Sequence, residues 1–144
     1  MTALSKPDRD LWRSFRRSYE QVSLTIERDL LAATQLSGAD HGVLSRLAET
    51  GSAGMRQQEL ANAMRWDRTR LSHHLTRMEQ RQLLTRSRNE KGGTFVAITP
   101  QGDAARTAAD PIHDQAVMKH FISRLSAEQR EALTSLAACL PARP

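Results

Sequence analysis

Residues 56–99 read RQQELANAMRWDRTRLSHHLTRMEQRQLLTRSRNEKGGTFVAIT, and the parsing of this stretch decides the fold. From Arg56 to Met64, the residues Leu60, Ala61 and Met64 share one side, which predicts a short helix. Trp66-Asp67 breaks the pattern, and Asp67 is a good N-cap for a second helix from Arg68 to Gln82. That helix carries Leu71, Leu75 and Met78 at the spacing of a buried stripe. Its outward face shows Arg70, His73, His74, Arg77 and Arg81. Leu83–Ser87 and Thr94–Thr99 then read as two strands, with Phe95, Ala97 and Thr99 alternating along the second. The RNEKGG between them is polar and ends in Gly92-Gly93, as a flexible tip does. Two short helices around a tight turn, followed by a basic hairpin, make a winged helix-turn-helix with a two-stranded β wing.

The flanks are helical. Upstream, Trp12, Phe15, Tyr19, Val22 and Ile26 form one apolar stripe on a helix from about Pro7 to Ala33, which Ser5 can cap. So long a helix, holding most of the aromatics, is expected to pack on another chain as well as on its own core; a purely intramolecular stripe is the alternative. Ser37 to Asp40 caps a next helix bearing Val43, Leu44 and Leu47, which stops at Gly51. Downstream, Pro100-Gln101-Gly102 opens a long helix that Pro111 is expected to kink or interrupt. Ser126 and Gln129 form a capping box for a last helix with Leu133, Leu136, Ala137 and Leu140, ended by Pro141. The class is therefore mainly α.

Charge is concentrated where the hairpin and its preceding helix lie. The 144 residues hold 21 Lys and Arg against 16 Asp and Glu, a formal net charge of +5. Between Arg65 and Lys91 stand eight basic residues and three acids, so this one segment carries the whole excess. A localised basic footprint suits a polyanion, nucleic acid first; a solvated basic face is the alternative. No apolar run approaches the roughly 18 residues of a membrane span, and the N-terminal residues lack a secretory apolar region. These features point to a soluble, cytoplasmic protein without a membrane partner. One Cys, Cys139, excludes an intrachain disulfide framework and multi-Cys metal centres; its place beside Leu140 suggests a buried structural thiol.

The chain resembles the MarR family of multiple-antibiotic-resistance-type regulators over nearly its whole length. RQQELANAM, DRTRLSHHLTRMEQRQLLTR, the junction AITPQG and the closing LSAEQREALTSL carry the likeness. The resemblance implies a homodimeric transcription regulator, with residues 38–102 as DNA-binding lobe and 5–36 plus 103–144 as dimerisation region. It also implies one recognition helix in each major groove and a wing near the minor groove. Arg68, Thr69, Arg70, Ser72 and His73 lie in the first two turns of the candidate recognition helix, where base edges are reached. Arg77, Arg81 and Arg86 are expected to fix register on phosphates, and Arg88 and Lys91 to serve the wing. The wing departs from the family pattern of an Asp followed two residues later by an Arg, because those positions hold Glu90 and Gly92.

Family members commonly bind phenolic or other lipophilic effectors between the dimerisation helices and the DNA-binding lobe. The resemblance points to Trp12, Phe15, Tyr19, His41, Ile112, His113 and Ala116 for such a site here. A metal-responsive alternative would use His41, Asp110, His113, Asp114 and His120, since imidazole and carboxylate suit zinc. No phosphate loop, nucleophile elbow or His-Glu-x-x-His motif occurs, so neither catalysis nor a cofactor is expected. The reading is a sequence-specific regulator, probed against a winged-helix module that binds DNA non-specifically or acts through protein partners.

Overall fold

The computed structural model describes residues 3–90 and 92–140. Six α-helices and three short strands follow in the order α1 (Lys6–Thr34), α2 (Gly38–Thr50), β1 (Met55–Arg56), α3 (Gln57–Met64), α4 (Arg68–Gln80), β2 (Leu84–Arg88), β3 (Thr94–Ile98), α5 (Pro100–His120) and α6 (Ala127–Cys139). The chain divides into two compact units. One comprises the residues up to Asp29 and those from His113 onward, and the other is Leu30–Ile112.

The Leu30–Ile112 unit is built on the expected stripes. Leu60 and Ala61 of α3 and Leu71, Leu75 and Met78 of α4 are buried with Val43, Leu44 and Leu47 of α2. Leu30, Leu36 and Ala109 complete the same cluster. The sheet is antiparallel and three-stranded, in the order β1-β3-β2, rather than the two-stranded hairpin expected. The extra strand is only Met55 and Arg56, paired with Val96 and Phe95, too short to show a period. Along β3 the residue turned into the core is Val96, with Phe95 and Ala97 half-buried on either side.

Caps account for the element ends. Ser37 and Asp40 form a reciprocal capping box at α2, and Ser126 and Gln129 form another at α6. Both helices of the helix-turn-helix end in left-handed residues that are not glycine. After α3, Arg65 has φ of +56°, and the amide of Trp66 donates to Ala61 O at 3.0 Å. After α4, Gln82 has φ of +60°, and the amide of Leu83 donates to Met78 O at 3.1 Å. These are Schellman closures, usually made with glycine, and they stop α4 two residues before the expected Gln82. Pro111 does not interrupt α5, which runs unbroken to His120. The missing N–H removes one ladder bond within a helix of 21 residues, and the turns on either side hold it.

In the other unit, Asp29 receives His120 Nε2 at 2.7 Å and Lys119 Nζ at 3.3 Å. Leu11, Trp12 and Phe15 of α1 lie exposed near Leu136 of α6 and Leu140, around one apolar groove. Cys139 is exposed, contrary to the buried thiol expected, because no residue of α6 is buried within a single chain. The expected end of α6 at Pro141 lies outside the described residues.

The junction TPQG places the wing against α5. Thr99 Oγ1 accepts from the amide of Gly102 at 2.9 Å and donates to Gln82 O at 2.7 Å, while its own amide donates to Leu83 O at 3.2 Å. A β-carbon at Gly102 would stand 1.9 Å from Leu83 O, so the helix start can approach the strand only without one. Gly102→Ala is expected to lower unfolding free energy by about 2–3 kcal/mol in urea titration, the usual scale of a forced backbone shift.

Candidate nucleic-acid interface

The site begins at the turn between α3 and α4. Asp67 Oδ1 accepts the amide of Arg70 at 2.8 Å and so caps α4, whose first turns then project Arg68, Thr69, Arg70 and His73 into solvent. Ser72 is half-buried on the same helix. Arg70 is held in place, with its guanidinium carbon 4.1 Å from the centroid of the Trp66 ring. Stacking uses the face of the guanidinium and leaves its edge donors free for a base. Trp66 in turn meets the His74 ring edge-on at 5.2 Å.

His74 is not on the outward face where the helical pattern put it. Its Nε2 lies 2.9 Å from Asp40 Oδ1, and its Nδ1 is 3.1 Å from Arg77 Nη2. An arginine can only donate, so Nδ1 accepts and the ring proton sits on Nε2, the nitrogen nearer the carboxylate. Asp40 is 4 % exposed and is the one buried charged side chain among the described residues. Its Oδ2 also accepts from Arg81 Nη1 at 2.8 Å and from the Ser37 amide at 3.0 Å. Burial pushes this carboxyl up, but His74, Arg81 and the Ser37 amide outweigh it and hold it well below the usual carboxylate range.

Two arginines expected on phosphates are committed within the fold. Arg81 bonds Asp40 and, through Nη2, the carbonyl of Gln35 at 2.9 Å. Arg86 of β2 donates from Nε and Nη2 to Glu79 Oε2 at 3.1 and 2.8 Å, and from Nη2 to Thr76 Oγ1 at 2.9 Å. Hydrogen bonds from Arg86, opposed by partial burial, keep the Glu79 carboxyl below its ordinary value. Arg86 therefore ties the wing to the recognition helix. The partners of Arg81 lie 41 and 46 residues away, and those of Arg86 lie across the turn into β2, so helical periodicity hid both.

The wing tip is ordered by Asn89. Its amide donates to Gly93 O at 3.0 Å, its carbonyl accepts from Gly92, and its side chain accepts from the Gly93 amide at 3.0 Å. Gly92 has φ of +84°, a conformation natural to glycine, so the residue at this position is dictated by the turn. Arg88 is exposed at the end of β2. Lys91 lies outside the described residues.

The expected effector residues fall in both units. Trp12 and Phe15 are brought together, with ring centroids 6.2 Å apart, and Tyr19 is exposed further along α1. Ala116 is buried, and His113 Nδ1 is 3.7 Å from Asp114. In the other unit His41 Nε2 is 2.8 Å from Asp110 Oδ1, and Ile112 packs on the core. Arg106 holds Asp110 as well. Among the described residues no three His, Cys, Asp or Glu side chains group as a metal site would require, and no helix is long and apolar enough to cross a membrane.

A basic helix standing proud of a three-helix core, with a hairpin tied alongside, is how winged helix-turn-helix proteins meet a duplex, and the Leu30–Ile112 unit is of that class. The MarR-family model matches residues 36–91, which span α2 through the wing strand β2. Over the whole chain the fold is similar to that of AbsC, a MarR-family transcriptional regulator from Streptomyces coelicolor, at 29% identity and TM-score 0.83, covering 94% of this chain and 93% of that one. It is similar also to Sco3205, a MarR-family regulator of the same organism crystallised with DNA, at 26% identity and TM-score 0.86, covering 96% and 88%. A mutant Escherichia coli MarR bound to operator DNA shares the fold at 20% identity and TM-score 0.81, covering 97% and 100%. Comparison with curated protein sequences gives no match. Residues 36–91 thus carry the MarR-family signature, and the chain as a whole has the fold of MarR-family regulators.

The Asp40 cluster has a pH signature. Because the carboxyl is depressed in the folded state, its stabilisation is complete above about pH 4, the unfolded value, and fades as pH falls through the lower folded value. Asp40→Asn keeps the bond to Ser37 but loses the charge, and is expected to cost about 1–3 kcal/mol at pH 7. In denaturant titrations across pH, the gap between variant and wild type should narrow steadily below pH 4.

Proposed function

We propose that the protein is a sequence-specific DNA-binding transcription regulator that represses by occupying a pseudo-palindromic operator as a homodimer. The observation that carries this reading is the first two turns of α4, where Arg68, Arg70 and His73 are exposed and Arg70 is pre-oriented on Trp66. The relative Sco3205, crystallised with DNA, supports it. In this reading Arg68, Thr69, Arg70, Ser72 and His73 address bases, and Arg77, Arg88 and Lys91 address phosphates. Arg81 and Arg86 act as positioning residues, holding α4 to α2 and the wing to α4.

The Leu30–Ile112 unit serves as the DNA-binding lobe and the other unit as the dimerisation region. Exposed Leu11, Trp12, Phe15, Leu136 and Leu140 support that division, since so much apolar surface on terminal helices is suited to a second copy. The stretches 30–36 and 103–112, assigned to dimerisation in the sequence, contribute Leu30, Leu36 and Ala109 to the lobe's core. Ligand response and a cytoplasmic, non-enzymatic role rest on the likeness to MarR-family regulators. A phenolic or lipophilic effector is the class to screen, with Trp12, Phe15, Tyr19, His41, Ile112, His113 and Ala116 as the positions to vary.

Selection of bound duplexes from a random pool at two salt concentrations tests the reading. The expected result is an inverted repeat, with affinity falling steeply as salt rises. Enrichment of no motif would transfer the function to non-specific DNA binding or a protein partner. Arg70→Ala is expected to cost about 1–3 kcal/mol at one base pair per half-site and to flatten the preference there. An unchanged preference profile would show that another face reads the bases.

A further inference from the structure

A cavity of about 270 Å3 opens beside the wing tip, lined by Arg56, Gln57, Arg68, Gly92, Gly93 and Thr94 among others. Two of these side chains are guanidinium groups, and no ion pair among the described residues includes either of them. Three arginines of the same unit, Arg81, Arg86 and Arg106, by contrast each hold a carboxylate. Two unpaired guanidinium groups around one polar hollow call for an anion with several acceptor oxygens.

The position of Arg56 is set by the sheet. It pairs with Phe95 across β1 and β3, and its guanidinium carbon lies 5.5 Å from the centroid of that ring. On the other side, a β-carbon at Gly93 would stand 3.3 Å from Arg56 Nη1, a tight contact that the absence of a side chain avoids. The ring and the bare glycine thus form a slot that holds the head group at the mouth of the cavity. Across the cavity Arg68 occupies the first turn of α4, the segment that addresses the duplex.

We infer that Arg56 holds one backbone phosphate of each half-site at the mouth of this cavity, beside Arg68, with Gly93 kept bare so that Arg56 reaches it. The inference rests on the DNA-binding reading above. It gives the wing a cation drawn from the floor of the sheet, where Gly92 and Gly93 at the tip supply none. The contact reads no base, so it adds affinity and register without altering preference.

Ethylation interference on a duplex selected from the random pool, with the full-length protein, locates the contact. In wild type, one phosphate per half-site should block binding when ethylated and map to this cavity. Arg56→Ala should become insensitive at that phosphate alone. Its salt dependence should fall by about 0.9 in log–log slope per subunit. Affinity should drop by similar factors for selected and random duplexes, with the motif unchanged. Arg56→Gln keeps the stem over Phe95 and serves as the second variant if the alanine form loses its fold. Gly93→Val should reproduce the loss without removing a charge, by displacing the head group. A wild-type interference pattern and slope in the Arg56 variants would overturn the phosphate contact while leaving the regulator reading intact. If wild type selects no duplex, both fall together.

Discussion

The buried carboxylate of Asp40 is the constraint on which the DNA-facing geometry depends. A charge at 4 % exposure is tolerable only when its oxygens are filled, and here they take a backbone amide, an imidazole and a guanidinium. Each partner comes from a different part of the lobe. Ser37 starts α2, His74 lies mid-way along α4, and Arg81 follows its end. The same contacts fix which His74 nitrogen carries the proton, and through the other nitrogen they reach Arg77. His74 also abuts the ring on which Arg70 rests. One carboxylate therefore sets the roll of the recognition helix about its axis and organises its exposed side chains from behind.

The basic segment divides into two populations with different physics. Arg81 and Arg86 have their charge matched inside the fold, where removal of one partner leaves the other unsatisfied. Among the described residues Arg68 and Arg88 have no such match, and Arg70 is braced by an aromatic face. Only the second population retains its full charge for a polyanion. The net charge of the segment thus overstates the number of cations available to a duplex.

Most of the scaffold was legible because it follows from local rules. The spacing of Leu71, Leu75 and Met78 located the buried side of α4, and Ser37, Asp67 and Ser126 marked helix starts through side chains three residues from the amides they cap. Features without a local signal were missed. β1 has two residues, below any period, and the left-handed Arg65 and Gln82 occupy positions where glycine is the usual marker. His74 read as outward because its polarity matched the basic face, while its partner lies 34 positions earlier in the chain. Arg81 and Arg86 read as phosphate ligands on sequence for the same reason. Charge reveals its sign in a sequence, and its partner only in three dimensions.

The stacking of Arg70 on Trp66 has an optical side. The chain has two tryptophans, and Trp12 belongs to the other compact unit. Indole emission responds to charge and polarity at the ring, and Trp66 has a guanidinium on its face and an imidazole at its edge. Any event that draws Arg70 toward a base changes that environment directly. The recognition helix therefore carries a built-in reporter, and a form lacking Trp12 would let the occupancy of the base-reading face be followed by fluorescence, without a label.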